Sequence, residues 1–401
     1  MADSTEISRI DLLARAAREL ASDPSPTAVG RRLDAWSRPR LAFDRIRILT
    51  WNETADRLET AFSAGPDDGG WADAAVEACI AGRAAVRLPA PAESTGAGPA
   101  TVAVPLLGHE RVLGVVDLTR SSGPPFDDRE EAFVEALVSQ AALAMEIGRL
   151  REVAARQARS LERELAMAGE IQRCLLRAGG DRIGPLDVGT AYLPVTALGG
   201  DFYDFLPLDS ERLVVTAGDV AGKGTPAALH AALAMGLTRG QVLESPGGPA
   251  TILGRLNGAL ALPGVDNRFV AMLFGAYEVS TRILRLANAG FPEPILLRRG
   301  RLQRIRVRGV PLGLLPGIVY DEVEVPLETG DVVAFVSDGL QEAIDGQEQQ
   351  FGDRFLVDVL CALATQRAEW IAQGLIRAST AYAGEQEAHP DDRSVVVLKL
   401  D

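Results

Sequence analysis

From Phe133 to about Leu176 the chain has no proline, and no glycine interrupts it strongly, Gly148 and Gly169 being the weak points. A helix of that length exceeds the usual span inside a globular domain, so it reads as a rod joining two folded bodies. The length of 401 residues also suits two domains or more. Along the rod, Ile147, Ala154, Leu161, Ala168 and Leu175 recur every seven residues, with Leu150, Gln157, Glu164 and Ile171 as companions. The apolar row predicts a parallel coiled coil and hence a homodimer. The polar Gln157 and Glu164 would hold that seam near marginal stability, which suits a switch. The alternative is a lone connector helix with solvated, charged faces.

The net charge of -14 argues against nucleic acid or an anionic membrane surface as the main partner. The first residues, MADSTEISRIDLL, are charged throughout and lack the apolar core of a signal peptide. The longest uncharged helical run, PAALHAALAMGL, is too short to span a bilayer. Cys79, Cys174 and Cys361 lie far apart, and His109, His230 and His389 show no metal-ligand spacing. A cytoplasmic protein is expected, with neither disulfides nor a cysteine–histidine metal site.

Ahead of the rod, Ile7, Ile10, Leu12, Leu13, Ala16 and Leu20 predict an amphipathic helix over 4–22. RIRILTW and RLETAFS read as strands, and LPAPAESTGAGPA as a flexible stretch. TVAVPLLGHERVLGVVDLTR reads as a hairpin, and Asp127 or Asp128 as the cap of the helix that follows. This order resembles a signalling module of the GAF kind over residues 5–147. The resemblance implies a sensor domain able to take a small-molecule ligand. Residues 148–178 would be the helical linker, and residues 179–401 a second domain.

Beyond residue 186, strand-like runs border on acids. GGDFYDF holds Asp201 and Asp204, RLVVTAGD ends on Asp219, DVVAFVSDG reaches Asp338, and DDRSVVVLKL opens with Asp391 and Asp392. An aspartate beside glycine is most often a turn residue. Four sets of acids flanking buried-looking strands are harder to explain without a partner. Oxygen ligands without a His or Cys cluster suit a hard cation such as Mg²⁺ or Mn²⁺.

The ordered motifs GGDFYDF, AGDVAGKGTPAAL, NAG, GVPLGL, VSDGLQEA and DDRSVVV, with the lead-in ELAMAGEIQRCLL, resemble the SpoIIE-type branch of the PPM metal-dependent serine/threonine phosphatases. The resemblance covers roughly residues 164–400. It implies an α+β chain whose C-terminal part is an αββα sandwich, two antiparallel sheets flanked by helices. It also implies a site of two Mn²⁺ or Mg²⁺ ions. Asp201 would act through bound water, Asp219 would bridge both metals beside the Val220 carbonyl, and Asp338 and Asp391 would complete the second metal. Glu342 falls where some relatives hold a third, weaker ion. Asp204 is expected to be a structural hydrogen-bonding residue. Phe202, Tyr203 and Phe205 are expected in the core, and Lys223 is either a phosphate contact or an exposed loop residue. Where relatives read NAGH, this chain has Phe291, which puts a polar role there in doubt.

By the same resemblance, a water activated by two metals attacks phosphorus in line, with no protein nucleophile. The implied substrate is a phosphoserine or phosphothreonine protein, a STAS-type anti-sigma-factor antagonist. The alternatives are a non-catalytic phosphoprotein-binding module and a hydrolase of small phosphoesters.

Overall fold

The computed structural model describes residues 14–52, 55–66, 73–88, 100–109, 111–122, 124–177, 179–244, 247–261, 269–384 and 391–401. The chain divides into two compact units, Met1–Ser160 and Leu161–Asp401.

The first unit contains helix α1 (residues 14–22), α2 (Pro26–Ser37), strands β1 (Arg45–Asn52) and β2 (Arg57–Ala64), α3 (Asp73–Gly82), β3 (Val86–Leu88), β4 (Ala100–Leu107), β5 (Val112–Arg120) and the start of α4 (Asp128–Leu175). Of the helix expected over 4–22, Ile7, Ile10, Leu12 and Leu13 lie outside the described residues, as do residues 89–99 of the expected flexible stretch. The expected strands are β1 and β2, and the expected hairpin is β4–β5. The antiparallel sheet has the order β2-β1-β5-β4-β3.

Side chains alternate across β1, which is buried on both faces. Ile46 and Ile48 join Leu20, Leu33, Leu137 and Val138 in one core, whereas Leu49 packs with Val76 and Cys79 of α3 in another. Arg47, on the α3 side, is paired with the fully buried Asp117 at 2.9 Å and with Asp73 at 3.0 Å.

Helix α4 runs unbroken through Gly148 and Gly169, starting at Asp128, directly after the expected cap. Asp127 is its cap. The Asp127 carboxylate accepts from the Arg129 and Glu130 amides at 2.9 and 2.8 Å, and the Glu130 carboxylate accepts from the Asp127 amide at 3.0 Å. This reciprocal pair satisfies amides that would otherwise have no helical partner. The absent side chains of Gly148 and Gly169 leave room for Pro24 and for the Ala197 carbonyl, respectively. Both glycines are therefore contact points rather than breaks. Ile147 and Leu161 of the apolar row are 41% and 57% exposed, and the companion Leu150 is 52% exposed.

The second unit continues with β6 (Arg182–Ile183), β7 (Leu186–Leu193), β8 (Phe202–Pro207), β9 (Arg212–Val220), α5 (Thr225–Glu244), α6 (Pro249–Leu260), β10 (Val270–Glu278), β11 (Ile283–Ala289), β12 (Ile295–Arg298), β13 (Arg301–Arg304), β14 (Glu322–Pro326), β15 (Val332–Val336), α7 (Asp338–Gln341), α8 (Gly352–Leu363), α9 (Ala368–Ala383) and β16 (Arg393–Leu400). One sheet has the order β14-β11-β10-β9-β8 and the other β13-β12-β15-β16-β7-β6, all pairs antiparallel.

The sheets face each other. Phe202, Phe205, Val215 and Phe274 of the first share a core with Phe335, Val396 and Leu398 of the second. Helices α5 and α6 pack on the first sheet, and α8 and α9 cover the outer side of the second. This is the αββα sandwich expected from the motif order. Among the described residues, no helix is long and apolar enough to cross a membrane.

Candidate metal centre

Strand pairing brings the acids to one end of the sandwich. Phe202 pairs with Gly218, so Asp201 just before β8 lies opposite Asp219 near the end of β9. In the facing sheet Val336 pairs with Val395, and the Ser337 amide donates to the Ser394 carbonyl at 3.0 Å. Asp338 at the end of β15 is thereby set against Asp391 and Asp392 at the start of β16. Antiparallel order does this: strands ending at one edge are followed in space by strands beginning there.

Asp201 is buried, and its Oδ2 has no hydrogen-bond partner. Burial first, then the charge of Asp219, holds its carboxyl well above the usual range. Burial also raises Asp219, helped by Asp338, Asp391 and Asp392. Asp338 is raised by burial and by Asp391, with Lys223 acting in the opposite sense. These carboxylates are close enough to repel one another, and Asp201 is shut off from water while Asp219 is half-buried and Asp338 exposed, so the group calls for positive charge. Among the described residues no three His, Cys, Asp or Glu side chains are already closed into a metal-binding group. The acids nevertheless fit one: the donors are all oxygen, Asp201 keeps an orphaned buried oxygen, and space is kept clear beside them. A side chain on Gly200 would stand 3.0 Å from the Val220 carbonyl oxygen and 3.3 Å from Asp219 Oδ1.

Supporting contacts fix the loop that carries Asp201. The Asp392 carboxylate accepts from the Val195 amide at 2.8 Å and the Gly200 amide at 2.6 Å. Gln172 of α4 donates to the Gly199 carbonyl at 2.7 Å and accepts from the Gly199 amide at 3.2 Å. Asp204 is buried and accepts from Arg239 Nε at 2.6 Å, while Arg239 also donates to the Leu175 carbonyl at 2.7 Å. Asp204 is thus a structural tie between β8, α5 and the end of α4. Phe202, Tyr203 and Phe205 are core residues.

Glu342 is exposed just past α7, and the charges that act most on Asp338 are Asp391 and Lys223 instead. Phe291 is a core residue. Its amide donates to Asn288 Oδ1 at 2.8 Å, closing a turn in which Gly290 has φ +84°. The sequence reading assigned no role to Asp392, Gln172 or Tyr192. Tyr192 has a buried, unpartnered hydroxyl and feels the charges of Asp392 and Asp201. Adjacency to Asp391 was a signal for Asp392; the lead-in motif contained Gln172 without indicating its contact.

The sandwich with its acids at one edge agrees with the resemblance to the SpoIIE-type PPM phosphatases, and the family comparisons support a phosphatase domain of that kind behind a GAF domain. Residues 209–401 match the Stage II sporulation protein E (SpoIIE) family, and residues 9–146 match the GAF domain family. The chain is 24% identical over 246 residues to "Phosphoserine phosphatase RsbU" of Bacillus subtilis, covering 60% of this chain and 70% of that protein. It is 24% identical over 233 residues to "Protein IcfG" of Synechocystis, covering 51% of this chain and 37% of that one. Among solved structures, the SiaA-PP2C domain of Pseudomonas aeruginosa matches with a TM-score of 0.54 at 24% identity. That match covers 62% of this chain and all of the other, and shows a shared fold.

Proposed function

We propose that the chain is a metal-dependent serine/threonine phosphatase that hydrolyses phosphoserine or phosphothreonine on a partner protein under control of its GAF domain. The observation that carries this reading is the edge where Asp201, Asp219, Asp338 and Asp391 gather. Asp201, Asp219, Asp338, Asp391 and the Val220 carbonyl would hold two Mn²⁺ or Mg²⁺ ions, and Glu342 is the residue for a third, weaker one. When bound, such ions activate a water and offset the charge of the phosphoryl oxygens. Hydrolysis joins the water oxygen to phosphorus, breaks the bond to the seryl oxygen and returns a proton to that oxygen. Asp392 and Gln172 position the Asp201 loop, and burial of Asp201 keeps bulk water from satisfying its carboxylate.

The partner implied by the resemblance to the SpoIIE-type phosphatases is a phosphorylated STAS-type antagonist of an anti-sigma factor. A binding-only module is disfavoured because the whole acidic set is present. Linker dimerisation through the exposed Ile147, Leu150 and Leu161 and a small-molecule ligand of the GAF domain complete the proposal. The test compares a phosphoserine protein, a phosphopeptide and free phosphoserine, each with Mn²⁺ and with chelator. Metal-dependent turnover that favours the protein supports the reading. Turnover of free phosphoserine alone would assign a small-molecule hydrolase.

A further inference from the structure

Of the 41 Lys and Arg residues in the chain, two are lysines, Lys223 and Lys399. Lys399 lies on β16 away from the acids and donates to the Gln366 carbonyl at 2.8 Å. Lys223 stands at the acidic edge. Its Nζ is 3.3 Å from Asp391 Oδ1, and its side chain remains 66% exposed.

The loop between β9 and α5 is built to present it. Gly222 and Gly224 flank the lysine with φ of +108° and +73°, a backbone region that disfavours other residues. A side chain at either glycine would meet nothing within 4 Å, so the glycines are needed for backbone conformation and not for close packing. The result is an ammonium group on a flexible stem, held at the open side of the carboxylate cluster.

The choice of lysine has a chemical reason. A guanidinium binds a carboxylate through two parallel bonds and stays there. Arginines of this chain do so elsewhere: Arg47 grips Asp117 through two nitrogens, as Arg298 grips Asp331. Such a fork at position 223 would occupy the oxygens that a metal needs. An ammonium is a point charge that can hold one oxygen of Asp391 and release it.

We propose that Lys223 binds the phosphoryl group of the substrate, turning from Asp391 to a phosphate oxygen once metal neutralises the carboxylates. The inference rests on the phosphatase reading above. It makes Lys223 a substrate-binding residue that offsets charge on the phosphate and leaves metal affinity largely to the acids.

The test is calorimetric binding of inorganic phosphate to the Mn²⁺-loaded full chain, for the parent, Lys223→Met and Lys223→Arg. Mn²⁺ binding without phosphate and kcat/KM on a phosphopeptide are measured in the same preparations. Loss of one charge-assisted contact is expected to weaken phosphate binding and kcat/KM by about tenfold or more in Lys223→Met. Its Mn²⁺ binding should stay equal to the parent's or become tighter. Lys223→Arg should need more Mn²⁺ than the parent to reach the same phosphate affinity. Phosphate affinity in Lys223→Met equal to that of an active parent overturns the proposal and leaves an exposed loop lysine. Full restoration by arginine at every Mn²⁺ concentration overturns the argument for lysine over arginine. A parent that neither hydrolyses the peptide nor binds phosphate with Mn²⁺ present removes the phosphatase reading, and the lysine's role with it.

Discussion

A buried carboxylate oxygen that meets no donor costs stability until a cation reaches it. Asp201 is in that position, with Asp219 facing it across β8 and β9. Asp201→Asn keeps the shape and removes the charge. In chelator this variant is expected to melt above the parent. Mn²⁺ should raise the parent's melting temperature, because an ion that binds only the folded state stabilises it. The variant should lose most of that rise. Equal melting of the parent with and without Mn²⁺ would count against a metal role for this carboxylate. The four principal acids were legible in the sequence because each borders a strand-like apolar run, where an unpaired charge is unusual. Asp392 was less so: its partner Gly200 lies 192 residues away, and no local pattern encodes that contact.

Helix α4 shows the same limit at the scale of an element. Its length and cap could be read from the absence of proline and from Asp127. Its hold on Gly199 through Gln172 could not, because the bond depends on where the loop before Asp201 is placed in the folded unit. That hold gives the proposed regulation a physical route, since a shift of α4 would pull on the residues beside Asp201. The exposed seam carries Gln157 and Glu164, which weaken any one packing against a second helix. Replacing both with Leu is expected to strengthen association and to change basal turnover several-fold, together with its Mn²⁺ dependence. A tighter dimer with turnover and Mn²⁺ dependence equal to the parent's would make the helix a passive tether.

At the scale of the whole molecule, the order of the motifs was enough to foresee a sandwich with its acids at one edge, because that order resembles a phosphatase family whose fold is such a sandwich. Helices α2 and α3 were not foreseen, since their short and partly polar runs carry weak periodicity and are fixed by packing on the sheet. The apolar row of α4 leads us to expect a dimer of the intact chain in sedimentation at micromolar concentration. A monomer there with regulation intact would remove dimerisation from the scheme. The central claim, that the acidic edge holds the metal that makes the chain a phosphatase, is tested most directly by Asp219→Asn. Mn²⁺ binding and phosphate release from a phosphoserine substrate should be measured together on the folded variant and its parent. The account predicts that the parent binds Mn²⁺ and releases phosphate, while the folded variant binds it far more weakly and is inactive. A folded Asp219→Asn that hydrolyses the substrate with the parent's rate and Mn²⁺ dependence would contradict it.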